Sequence, residues 1–154
     1  MSYRAARAPT AIDALVAAAR RGDPQLITKL ASGWAMFGGR QFVKGYTLLL
    51  PDPLVSDLNS LTAHARAQFL HDMALMGDAL LKVTAAVRIN YAIFGNLEPA
   101  LHAHIVPRYA DEPPAMRTQH PWAYDWSAAP PFDPADCGEL AAALRGELAR
   151  RGAR

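Results

Sequence analysis

Strand-like runs in this sequence come in adjacent pairs, and one long helical stretch separates the pairs. Residues 34–37 and 46–50 make the first pair, punctuated by Gly38, Gly39 and Gly45 and closed by Pro51. Residues 88–94 and 101–106 make the second, joined by the tight loop Gly95-Asn96-Leu97-Glu98-Pro99 and closed by Pro107. Apolar and aromatic runs bounded by Gly and Pro are strand signals. Neighbouring strands with short connections pair antiparallel, because a parallel pair needs a crossover of a dozen residues or more. Between the pairs, Ser60 or Thr62 opens a helix to about residue 86. Its apolar stripe is Leu61, Phe69, Leu70, Met73, Met76, Leu80 and Val83, with Arg66, Asp72, Asp78 and Lys82 off the stripe. Such a stripe covers a sheet face. The order excludes alternating βαβ units and predicts an α+β fold, an antiparallel sheet packed by a long helix.

The flanks add helices. Thr10 caps one, with Asp13 three residues on and Ile12, Leu15, Val16 and Ala19 at helical spacing up to Gly22. Asp23-Pro24 is expected to restart a helix that runs through Ile27 and Leu30 to about residue 32. Asp133 or Asp136 caps a last helix from Cys137 to about Arg150. The expectation is one domain over 1–154: a core at 33–108, a proline-rich tail at 109–134 and a C-terminal helix at 135–154. A chain of 154 residues buries about 70% of its unfolded surface without staples, and is too short for a TIM barrel of about 250 residues.

A net charge of +2 gives no extended surface for nucleic acid. No run approaches the ~18 apolar residues of a membrane span. The basic start at Met1 to Arg7 is broken by Pro9 and Asp13 before any secretory apolar region forms. The lone Cys137 fits a reducing compartment. A cytoplasmic protein with no nucleic-acid or membrane partner is expected.

The chemistry concentrates at His102-Ala103-His104. Residues two apart on a strand share a face, so both imidazoles look into one space while Leu101, Ala103 and Ile105 turn to the core. Two exposed histidines on a polar strand face are the plain alternative. Zinc is another, but it needs further ligands, and His64 and His71 on the long helix are nothing more than candidates. Covalent catalysis is the third. A neutral imidazole attacks phosphorus when one ring nitrogen is free and the other is held by an acceptor. Glycine lets backbone N–H groups approach the phosphate, and Gly95-Asn96 lies just before this strand.

The segment Leu101-His102-Ala103-His104-Ile105-Val106-Pro107-Arg108 resembles the end of the histidine triad motif, His-φ-His-φ-His-φ-φ, often followed by Pro-Arg. The segment Val43-Lys44-Gly45-Tyr46-Thr47-Leu48-Leu49-Leu50-Pro51 resembles that family's Pro-Gly-His and the apolar strand ending in Pro. The resemblance spans residues 34–108. It implies a sheet continued across a homodimer, and hydrolysis or transfer at the α-phosphate of a nucleotide or nucleotide conjugate, dinucleoside polyphosphates among them. It implies His102 as nucleophile and His104 at the phosphate and leaving group. Gly95, Asn96, Asn90 and Arg108 are the implied substrate contacts, and no cofactor is implied. Three positions depart from the pattern: Ala100 stands at the first triad histidine, Tyr46 follows Gly45 where many members have histidine, and Gly38 takes a polar position. A nucleotide-binding module without turnover is the alternative. Trp34, Phe37 and Phe42 are weighed as a base slot against core. Trp122, Tyr124 and Trp126 are weighed as site residues against packing of the tail on its own domain.

Overall fold

The computed structural model describes residues 8–153. Helix α1 spans Ala11–Arg20, with its Thr10 N–H donating to Asp13 at 2.6 Å. Strands β1 (Leu26–Lys29), β2 (Gly33–Phe37) and β3 (Thr47–Pro51) follow, then helix α2 (Ala63–Val83), β4 (Arg88–Ala92), β5 (Ala103–Arg108) and helix α3 (Pro134–Arg150). The five strands make one sheet in the order β1-β2-β3-β5-β4, and every pairing is antiparallel. The fold class is the expected α+β.

The second helix expected after Pro24 is instead β1. The three-residue spacing of Ile27 and Leu30 imitates a helix for a local reason. The pairing slips between Leu26 and Thr28, and Leu30 lies beyond the strand, where its N–H meets the Gly33 carbonyl at 2.7 Å. An irregularity of this kind re-aims a side chain and breaks the two-residue period. Pro107, expected to end the last strand, lies inside β5 opposite Ile89. It is tolerated there because the β3 pairing reaches only to Ile105, so no ladder partner is denied an N–H. His102 sits one residue before β5 rather than within it.

Helix α2 is capped by Thr62, whose hydroxyl accepts from the Ala65 N–H at 3.2 Å. Phe69, Met76 and Leu80 face the sheet as expected, whereas Leu70 is exposed. Asp72, expected off the stripe, is buried. It accepts from the Ser32 N–H at 2.8 Å, the Ser32 hydroxyl at 2.6 Å and the Gln68 amide at 2.9 Å. A buried carboxylate survives only when its lone pairs are met. Here it ties α2 to the β1–β2 turn.

The sheet divides the core in two. Ala35, Phe37, Leu49, Ala103 and Ile105 pack under α2 and α3. Met36, Leu48, Leu50 and Val106 pack on the other face with α1, Tyr46 and the tail residues Tyr109, Tyr124 and Trp126. Alternation along β3 and β5 therefore sends His104, opposite Leu48, to the face without the long helix.

Candidate active site around two histidines

His102 is 7% exposed, and its Nδ1 lies 2.7 Å from the Ala100 carbonyl oxygen. A carbonyl only accepts, so Nδ1 carries a proton, and in the neutral ring the lone pair is on Nε2. The alanine at position 100 costs no orienting contact here, because the contact comes from backbone. The His104 ring stands nearly perpendicular to that of His102, with centroids 4.8 Å apart. Its Nδ1 is 2.7 Å from the Tyr46 hydroxyl. Neither Nε2 meets a hydrogen-bond partner among the described residues.

Burial, reinforced by the neighbouring His102, pushes the His104 imidazolium down to about 4. His104 is therefore uncharged at neutral pH. Its walls are aromatic. Trp122 meets it edge-on at 4.9 Å, Tyr46 lies nearly parallel at 5.9 Å and Phe94 is tilted at 6.1 Å. Trp122 is backed by Trp126 at 5.4 Å, and Trp126 by Phe42 at 3.8 Å. The tail thus reaches the histidines, and it does so while packing on its own chain. Phe37 is core, stacked on Phe132, and Trp34 donates its indole N–H to Asp52 at 2.8 Å. These three early aromatics do not assemble into a slot.

Asn90 shares the histidine face from β4, since it pairs with Val106 while Ala92 pairs with His104. Arg108 is on that face too, but it does not turn to the histidines. Its Nε and Nη2 meet the Glu112 carboxylate at 2.8–3.2 Å, Nη1 meets Asn90 Oδ1 at 2.8 Å and the Gln119 carbonyl at 2.7 Å, and Nη2 also meets the Met116 carbonyl at 2.8 Å. All five donors of the guanidinium are thereby engaged inside the protein. Contrary to the expectation of a phosphate contact, Arg108 is a buried clasp for the tail. This contact occupies Asn90 Oδ1, so the amide nitrogen is the group left on Asn90 to donate. Gly95 has a φ of +86°, a conformation that favours glycine, and Asn96 is exposed in the same loop. In the same β4–β5 loop, directly before Gly95, stands Phe94, a wall of His104. His64 and His71 are exposed on α2. Among the described residues no three His, Cys, Asp or Glu side chains gather as a metal site.

A groove of about 1100 Å³ runs beside the pair, between β4 and residues 117–122. Asn90, Phe94 and Trp122 line it, but neither histidine does. Two contributors were hidden in the sequence. Glu112 gives no local signal, being one acid in a proline-rich stretch. Tyr46 was visible only as a departure from a motif, although the alternation Tyr46-Leu48-Leu50 already set it on one face of the strand that pairs with β5.

No helix among the described residues is long and apolar enough to cross a membrane. No protein-family model matches the chain, and no curated protein does. Solved structures do match. A histidine triad protein from Bradyrhizobium japonicum is 22% identical over 80% of this chain and 91% of its own, with a TM-score of 0.70. A histidine triad protein from Marinobacter aquaeolei is 16% identical over 89% and 94%, with a TM-score of 0.71. A zinc-bound histidine triad family protein from Mycobacterium smegmatis is 21% identical over 90% and 96%, with a TM-score of 0.61. The backbone thus superposes on these structures over most of the chain, which has the histidine triad fold.

Proposed function

We propose that the chain binds nucleotides and cleaves or transfers at the α-phosphate through a covalent nucleotidyl-His102 intermediate. The observation that carries this reading is the 2.7 Å contact of His102 Nδ1 with the Ala100 carbonyl. It fixes the tautomer whose Nε2 is nucleophilic. In the first step a bond forms from Nε2 to phosphorus, and the bond from phosphorus to the leaving oxygen breaks with its electron pair. His102 keeps its Nδ1 proton on the carbonyl throughout. Water or another acceptor then attacks phosphorus, loses a proton to solvent, and returns the electron pair to Nε2. His104 contacts the phosphate beside the leaving group. The Asn90 amide and the backbone at Gly95 and Asn96 hold its remaining oxygens. Arg108 acts at one remove, by holding Asn90 and the tail.

Hydrolysis of dinucleoside polyphosphates and nucleoside phosphoramidates in ¹⁸O-labelled water tests the reading. One labelled oxygen is expected on the nucleoside monophosphate product. Label on the leaving group instead places the attack elsewhere. Tight binding with no turnover across both substrate classes favours the binding module without catalysis.

A homodimer belongs to the same reading. β4 is an edge strand, and Val87, Tyr91, Phe94 and Leu97 are exposed on or beside it at 65%, 42%, 59% and 91%. Such an edge invites pairing with a second copy. Light scattering is expected to return twice the 16.7 kDa chain mass, and a monomer at micromolar concentration counts against the dimer.

A further inference from the structure

Tyr46 occupies a prepared place. It is 4% exposed, one residue before β3. Its ring lies where a side chain at position 38 would stand, because a Cβ on Gly38 would be 2.1 Å from Tyr46 Cε1. The two residues also pair through backbone, Gly38 N–H to the Tyr46 carbonyl at 3.0 Å. Phe42 and Trp126 close the other sides, with centroids at 5.0 and 5.3 Å. A ring so enclosed has one position, and that position puts its hydroxyl 2.7 Å from His104 Nδ1.

We infer that Tyr46 is a positioning residue whose hydroxyl donates to His104 Nδ1, so that the proton of the neutral His104 ring resides on Nε2. The direction of the bond follows from the surroundings. Among the described residues His104 Nδ1 is the one acceptor within reach of this phenol, and a buried hydroxyl without an acceptor is costly. Burial also drives the Tyr46 ionisation upward, so the phenol keeps its proton. The rings packed around His104 are His102, just before β5, Tyr46, just before β3, Phe94 in the β4–β5 loop and Trp122 in the tail, with no carboxylate, lysine or arginine among them.

The consequence is a division of labour between two adjacent rings. Backbone at Ala100 gives His102 a lone pair at Nε2, and Tyr46 gives His104 an N–H at Nε2. One ring is built to attack and the other to donate a hydrogen bond to a phosphoryl or leaving oxygen. Without Tyr46 no hydrogen bond among the described residues chooses between the two His104 tautomers. The catalytic consequence rests on the proposed nucleotidyl transfer; the tautomer itself does not.

Imidazole ¹⁵N spectra of the wild-type protein at pH 7 read the tautomer directly, without any substrate. The expected pattern is a pyridine-type Nδ1 and a pyrrole-type Nε2 for His104, and the reverse for His102. Tyr46→Phe is expected to shift His104 toward the other tautomer while His102 is unchanged, and to lower kcat by about tenfold or more with KM little altered. Incorporation of fluorinated tyrosine, a stronger donor of nearly the same size, moves the His104 Nδ1 signal even if Tyr46→Phe does not fold. A His104 Nδ1 that carries the proton in the wild type overturns the inference. So does a His104 spectrum indifferent to both changes. If the tautomers are as stated but no nucleotide is turned over, the inference stands and the hydrolase reading fails.

Discussion

His102→Ala is expected to lower kcat by about 10³-fold or more, because it removes the atom that bonds to phosphorus. The variant should still fold. The lost contact leaves the Ala100 carbonyl without its partner, at a cost of about 1–3 kcal/mol, and His102 contributes no apolar bulk comparable to Phe69 or Leu101. Thermal unfolding separates the two effects. A near-native melting curve with no turnover supports a nucleophile, whereas wild-type turnover removes the mechanism. His104→Ala should be milder, about 10²-fold, since the hydrogen bond it gives assists a bond change it does not make. The ordering of the two variants is itself informative. A larger loss at His104 would reverse the roles assigned to the rings.

Arg108→Ala is expected to have the largest effect on stability. The pair with Glu112 is buried, 2.8 Å between Nη2 and Oε2, with both side chains under 10% exposed at 8% and 7%. Removing one partner of a buried pair strands the other charge, and typically costs about 3–5 kcal/mol. For a chain of this length that lowers the melting temperature by roughly 10 °C. The loss should not stop at the pair. Glu112 also accepts from the Tyr109 N–H at 2.7 Å and the Tyr124 hydroxyl at 2.7 Å, while Arg108 holds the Met116 and Gln119 carbonyls. The tail from residue 112 to 124 hangs on this cluster, and Trp122 leans from it onto His104. Increased proteolytic cleavage in residues 112–124 of Arg108→Ala, with little change elsewhere, is the accompanying sign.

The same cluster sets a pH dependence. Burial alone would raise the Glu112 carboxyl, but hydrogen bonds from Arg108, Tyr124 and the Tyr109 N–H outweigh it and hold the group below its ordinary value of 4.5. A carboxyl lowered in the folded state adds stability above its unfolded range, and that stability is lost as pH falls through the folded value. His104 acts in the same direction one step earlier. Its folded value of about 4 lies below the ordinary 6.5, so the unfolded chain takes up the proton first. Stability should therefore decline from about pH 6.5 downward, and steepen below 4.5 where Glu112 joins. A melting temperature flat between pH 6.5 and 4.5 would contradict the His104 assignment, and one that falls no further below 4.5 would contradict that of Glu112.

The paired strands and the long helix were legible because their signals are clean: Tyr46 to Leu50 is apolar but for Thr47, and Phe69, Met76 and Leu80 recur at helical spacing. The histidine face was legible for the same reason, since alternation along one strand decides which way His104 and Ile105 point. The slip in β1 was not legible, because an extra residue in a strand erases its own signature. Arg108 was legible only as a substrate contact implied by the Pro-Arg that ends the motif, and only tertiary structure brings Glu112, Asn90 and two carbonyls around it. The partnership of Tyr46 with Gly38 and His104 depends on three segments meeting, which no local pattern records.

The central claim is a covalent bond from His102 to phosphorus. The direct measurement is rapid mixing with nucleotide labelled at the α-phosphate, followed by alkaline denaturation and recovery of the protein. Label that is stable to base, lost in acid, mapped to His102 and absent from His102→Ala is the predicted result. Turnover with no protein-bound label at any mixing time, or label retained in His102→Ala, would contradict it.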